Sequence, residues 1–144
     1  MTHYADSSFL VSCYLLDANT SLAKAYLSGM SAPLPWTALH ALEVRNAFEL
    51  GLFRGLLTTA DVAAAWANLE SDLRSARLVQ ATVKWPAAFR RASLLSERHS
   101  ATTGTRSLDI LHVAAAKSVR AVEFISFDGR QRTLANATGL TVAP

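Results

Sequence analysis

Short apolar runs alternate with helical patterns along the whole chain, and this alternation limits the fold more than any other feature. Within Thr2–Ala5, Tyr4-Ala5 reads as the end of a buried first strand. Leu34-Pro35-Trp36 reads as a brief extended piece, Leu78–Val83 as a strand, Val122–Phe127 as a buried strand and Leu140–Val142 as a last strand. The segments between them carry helix signals. Ser7-Ser8 offer a cap for a helix through Phe9, Leu10, Cys13 and Tyr14, and Ser21–Leu27 closes at Gly29. Thr37 caps a long helix to about Phe53, and Thr58/Thr59 with Asp61 open another through Leu73. Pro86 fits the first turn of a helix ending before Gly104; Ser107–Val119 is helical, and Gln131–Ala137 is closed by Gly139. Strands and helices in this order predict an α/β fold with a parallel sheet covered on both faces.

The length of 144 residues predicts a single domain, 1–144. Hydrophobic residues make up 51% and charged residues 17%, which excludes a disordered chain. Cys13 is the one cysteine, so no intrachain disulfide forms and a reducing cytoplasm is the expected compartment. No apolar run reaches membrane-spanning length, and Asp6 and Asp17 interrupt the region where a signal peptide would need an apolar core. Lys and Arg number 14 against 11 Asp and Glu, a net charge of +3. That excess is small, but most of the cations are Arg, whose fork suits phosphate or carboxylate. A polyanion partner and a slightly basic surface both fit it.

Four acids stand in unusual places. Asp6 follows the first strand directly, and Asp128 follows Phe124-Ile125-Ser126-Phe127. Both fall at carboxyl ends of strands, where open α/β sheets bind ligands; each also reads as a helix cap. Glu43 lies on the Thr37–Phe53 helix. At about 100° per residue it falls with Leu39, Leu42, Asn46, Leu50 and Phe53 on the stripe expected to face the core. A carboxylate facing inward must be paired, protonated or bound to a metal. Asp109 opens the helix Leu108-Asp109-Ile110-Leu111-His112-Val113-Ala114-Ala115-Ala116, which is apolar nearly all round and therefore predicted to be buried. An acid in a first turn also favours the helix dipole. If the four converge, their mutual repulsion calls for a divalent cation, and all-oxygen ligation suits Mg2+ or Mn2+ rather than zinc. One Cys and four scattered His give no zinc spacing, and His112 reads as a satisfied core residue.

In this order and context the acids resemble the PIN domain, specifically the VapC-type ribonuclease toxins of toxin–antitoxin pairs. The resemblance runs through Tyr4-Ala5-Asp6-Ser7-Ser8, Leu42-Glu43-Val44, Arg106-Ser107-Leu108-Asp109-Ile110-Leu111-His112 and Ser126-Phe127-Asp128-Gly129-Arg130-Gln131, with Gly139-Leu140 following. It implies a three-layer α/β/α fold with a central parallel sheet. It implies that Asp6, Glu43, Asp109 and Asp128 form an acidic quartet holding Mg2+ or Mn2+, with Ser7 and Ser126 at the hydroxyl positions beside the first and last acids. The activity implied is hydrolysis of RNA, tRNA or rRNA, to 5′-phosphate and 3′-hydroxyl ends, with Glu43 or Asp128 orienting the water. Arg106, Arg130 and Arg132 would then hold the RNA backbone.

The partners implied are a VapB-type antitoxin, whose C-terminal segment lies over the active site, and a second copy of the chain in a homodimer. Val44, Phe48 and Leu52 form a second apolar face of the Thr37–Phe53 helix, suited to a partner or to the core. Other classes fit less well. A haloacid dehalogenase-type phosphotransferase needs Asp-x-Asp where this chain has Asp6-Ser7-Ser8, and a receiver domain needs a strand-end Lys where the last lysine, Lys117, is helical. A catalytically inactive PIN-like module that binds RNA or protein is the alternative.

Overall fold

In the computed structural model, residues 3–144 are described; Thr2 of the expected first strand lies outside them. The elements in chain order are β1 (His3–Ala5), α1 (Ser7–Tyr14), α2 (Thr20–Gly29), β2 (Leu34–Trp36), α3 (Ala38–Phe53) and α4 (Thr59–Arg74). There follow β3 (Leu78–Gln80), α5 (Trp85–Thr103), α6 (Ser107–Ser118), β4 (Glu123–Ile125), α7 (Gly129–Ala137) and β5 (Thr141–Ala143). No helix among the described residues is long and apolar enough to cross a membrane.

The chain divides into two compact units, Met1–Asp6 with Ala81–Pro144, and Ser7–Gln80. In the first unit the strands run parallel in the order β1-β4-β5, with Tyr4 opposite Phe124 and Phe124 opposite Val142. Tyr4 and Phe124 are fully buried and stack with ring centroids 5.9 Å apart. The expectation for α6 holds: every residue from Ile110 to Ala116 is buried. Alanines there let neighbouring backbone approach closely, while Ile110, Leu111 and Val113 fill the core. His112 is the satisfied core residue expected, its Nδ1 2.9 Å from the Tyr4 hydroxyl. Gly104 ends α5 at a φ of 65°, a left-handed conformation that costs a residue with a Cβ.

In the second unit β2 and β3 pair in parallel, Leu34 opposite Leu78 and Trp36 opposite Gln80. The described strands therefore form two parallel sheets, of three and of two strands. β3 is shorter than the Leu78–Val83 expected, because its partner offers only three residues before Thr37 turns into α3. The first helix also differs from expectation. Ser7 and Ser8 lie inside its first turn rather than before it, since α1 starts at Ser7.

The face of α3 is a third correction. Leu42 is 65% and Phe53 87% exposed, and Asn46 is exposed as well. The buried residues are Leu39, as expected, with His40, Val44 and Phe48, so of the two uses open to the Val44 and Phe48 face the core is the one realised. Phe48 meets Trp66 of α4 edge-on at 4.9 Å, which fixes that choice. Glu43 borders the stripe and is half-buried rather than central to it.

Candidate active site

Asp6 is placed by the ladder itself. Its backbone N–H donates to the Ile125 carbonyl (3.0 Å), continuing the β1–β4 pairing one residue past the strand. Ser126 N–H donates in the same way to the Ala143 carbonyl (2.9 Å) at the end of β4. Two adjacent parallel strands thus deliver Asp6 and Ser126 side by side at their carboxyl ends. The Ser126 hydroxyl donates to Asp6 Oδ2 at 2.8 Å, and both residues are buried.

Asp128 follows two residues later. Its Oδ1 accepts the Gln131 N–H (2.8 Å), capping α7, and its own N–H donates to Ser126 Oγ (3.0 Å). The cap reading of Asp128 is therefore realised, and it fixes the carboxylate next to Ser126. Asp109 sits in the first turn of α6, where Arg106 Nε donates to its Oδ2 at 2.9 Å. Its backbone carbonyl accepts from Gln131 Nε2 (3.1 Å). Asp6, Ser126, Asp128 and Asp109 are thus joined in one hydrogen-bonded network within the first unit. Sequence reasoning did not single out Gln131, the residue that closes it. The available signal was its spacing, since Gln131, Leu134 and Ala135 share the buried face of α7.

Ser7 and Glu43 are brought together in the second unit. The Ser7 hydroxyl donates to Glu43 Oε2 at 2.8 Å, and α1 packs on α3 to make that contact. A cavity of about 330 Å3 opens beside them, lined by Ser7, Ser12, Glu43, Val11 and Ala47 among others. The three arginines differ in role. Arg132 holds the carbonyls of Ser126 and Pro144, each at 2.9 Å. Arg130 reaches only the Gly104 carbonyl, at 3.5 Å, and Arg106 is largely exposed apart from its pair with Asp109.

The donor chemistry suits a hard cation, since Asp6, Asp109 and Asp128 offer carboxylate oxygens and Ser126 a hydroxyl. Among the described residues, no three His, Cys, Asp or Glu side chains stand close enough to hold an ion between them. Each carboxylate is instead held by a local donor: Ser126 for Asp6, Arg106 for Asp109 and the α7 amide for Asp128.

The fold is parallel α/β, three-layer α/β/α with a central parallel sheet. Solved structures of the same fold include FitAcB from Neisseria gonorrhoeae, matched over 99% of this chain and 97% of that one, at 15% identity and a TM-score of 0.67. They also include VapC20 from Mycobacterium tuberculosis, a toxin that cleaves the sarcin-ricin loop, matched over 99% of this chain and 100% of that one, at 18% identity and a TM-score of 0.66. The fold implied by the resemblance to VapC-type toxins is therefore the fold of this chain. No family model matches the sequence, and no curated protein matches it.

Proposed function

We propose that this chain is a metal-dependent endoribonuclease, the toxin of a cytoplasmic toxin–antitoxin pair. The observation that carries the reading is the strand-end network in which Ser126 links Asp6 to Asp128 and Gln131 links both to Asp109. The full-length likeness to VapC20, a toxin that cleaves RNA, supports it. Asp6, Asp109 and Asp128 would hold Mg2+ or Mn2+, with Glu43, held by Ser7, as the fourth acid that the resemblance implies. When bound, such a cation acidifies a water for attack on phosphorus and screens the charge that develops on the phosphate.

The side chains do the rest. Ser126 orients the Asp6 carboxylate, and Ser7 orients that of Glu43. Glu43 or Asp128 aligns the water in line with the P–O3′ bond. Water oxygen bonds to phosphorus, the P–O3′ bond breaks, and the proton ends on the 3′-oxygen, giving 5′-phosphate and 3′-hydroxyl ends. Arg106 and Arg130, both on the exposed side, meet the RNA backbone, whereas Arg132 braces the loop. The substrate is tRNA or an rRNA loop. A VapB-type antitoxin silences the site, and the chain works as a homodimer.

A second reading has its own observation. Arg106 pairing and helix capping give Asp109 and Asp128 local roles that need no metal, as in an inactive PIN-like binding module. Cleavage of end-labelled tRNA and rRNA by the purified chain with Mg2+, Mn2+ or EDTA, beside Asp6→Asn, separates the two. The nuclease reading expects discrete products that vanish in EDTA and fall by more than about a hundredfold in the variant. Folded, antitoxin-free protein that cuts nothing under any condition supports the binding module.

A further inference from the structure

α5 runs for 19 residues and fully buries only Ala88. Helices in small domains draw most of their stability from a covered apolar face, and this one leaves much of its surface open. Between α5 and α6 lies a largely apolar groove of about 560 Å3, lined by Phe89, Ala92 and Ser96 of α5 and Leu108 and Leu111 of α6 among others. Phe89 is 56% exposed, and Leu108 is exposed as well. Large apolar side chains grouped at the mouth of a groove are the mark of a docking surface. The charges beside the groove say what docks there. At about 100° per residue, Phe89, Ser93, Ser96 and Ser100 share an arc of roughly 60°, and Arg90 and Glu97 stand about 20° apart along one edge of it. Two turns, about 10.5 Å, separate Arg90 from Glu97. Both are exposed, and neither has an ion-pair partner among the described residues.

We propose that this face binds a second copy of the chain, α5 against α5 and antiparallel, with two reciprocal Arg90–Glu97 pairs and Phe89 seated in the groove of the other copy. A two-fold axis sets the same edge of both helices together, so each contact occurs twice. With the axis level between residues 93 and 94, Arg90 stands opposite Glu97 of the partner subunit, and Glu97 opposite Arg90 of the partner subunit. One register thus closes both pairs. The same register brings Phe89 level with Ser96 and Ser100 of the partner subunit, small residues that leave room for a ring. Phe89 supplies the apolar area, and the charges select partner and register. An unrelated partner would require no such reciprocity within α5. The proposal rests on the homodimeric reading above and on neither the metal nor the RNA.

The test is sedimentation velocity of the full chain over a concentration series at low salt, for wild type, Arg90→Glu, Glu97→Arg, the double reversal and Phe89→Ala. All three positions are exposed, so the variants keep the fold, which circular dichroism checks. Wild type is expected to dimerise. Each single reversal sets like charges together at two places and is expected to raise the dimer Kd about tenfold or more. The double reversal restores opposite charges and is expected to return to within about threefold of wild type, which a loss of fold or of general solubility would not do. Phe89→Ala is expected to weaken the dimer about tenfold or more. A dimer indifferent to the single reversals and to Phe89→Ala, or a double reversal no tighter than the single ones, overturns this interface alone. A wild-type chain that stays monomeric overturns the interface and the homodimer together, and leaves hydrolysis of RNA to its own test.

Discussion

Cys13 lies on the buried face of α1, and burial, with the Asp72 carboxylate next, pushes its thiol up to about 12. At pH 8 only about one molecule in 10,000 then carries the reactive thiolate. A chromogenic disulfide reagent should leave Cys13 unlabelled in native protein and label it fully on denaturation; fast native labelling would contradict this burial. The same shift makes stability depend on pH. Between 9.0, the ordinary thiol value, and about 12 the native chain keeps a proton that the unfolded chain has lost. Stability is therefore complete below pH 9 and falls as pH rises, by about 1.4 kcal/mol per unit. Burial and a hydrogen bond to Asp72 raise Tyr14 too, which steepens the loss above pH 10. Thermal unfolding from pH 8 to 11 should show a shallower decline in Cys13→Ala than in wild type. At this scale the sequence was a fair guide to residues with one duty. His112 reads as core and is core, while Gln131 went unread because one partner, the Asp109 carbonyl, lies on a different helix.

Capping chemistry made the elements legible. Thr37 and Thr58, both readable as caps from sequence, each close a capping box with the residue three positions on, His40 and Asp61. Thr37 is buried, so Thr37→Ala should lower stability by about 1 to 2 kcal/mol in a denaturant titration, without changing the slope. Gly104→Ala should cost about 1 kcal/mol. A Cβ there meets only the Arg130 side chain at an ordinary 3.9 Å, so the cost lies in the positive φ. Strand ends and helix faces were less legible. β3 stops where β2 stops, which no local pattern in Leu78–Val83 reveals. The face of α3 was misread because leucines and phenylalanines occur all around the helix, and Trp66, far along the chain, decides which side is buried.

Across the whole molecule, the alternation of strand and helix carried the fold class, and the order of four acids carried the family resemblance. The division at Asp6/Ser7 and Gln80/Ala81 was invisible, since neither junction carries a glycine- or proline-rich linker. How the acids are held was also hidden, because Ser126 and Gln131 act through contacts that topology creates. Leu16, Leu22, Leu42, Phe53 and Leu56 are exposed on the second unit. The central claim is that carboxylates at the carboxyl ends of the parallel strands serve hydrolysis of RNA by water. The most direct test is the end chemistry of fragments cut from rRNA or tRNA with Mn2+. The account predicts 5′-phosphates and 3′-hydroxyls, with 3′ ends that accept a ligated adapter without prior treatment. Fragments ending in 2′,3′-cyclic phosphate and 5′-hydroxyl would mean attack by the ribose 2′-oxygen, and would contradict it.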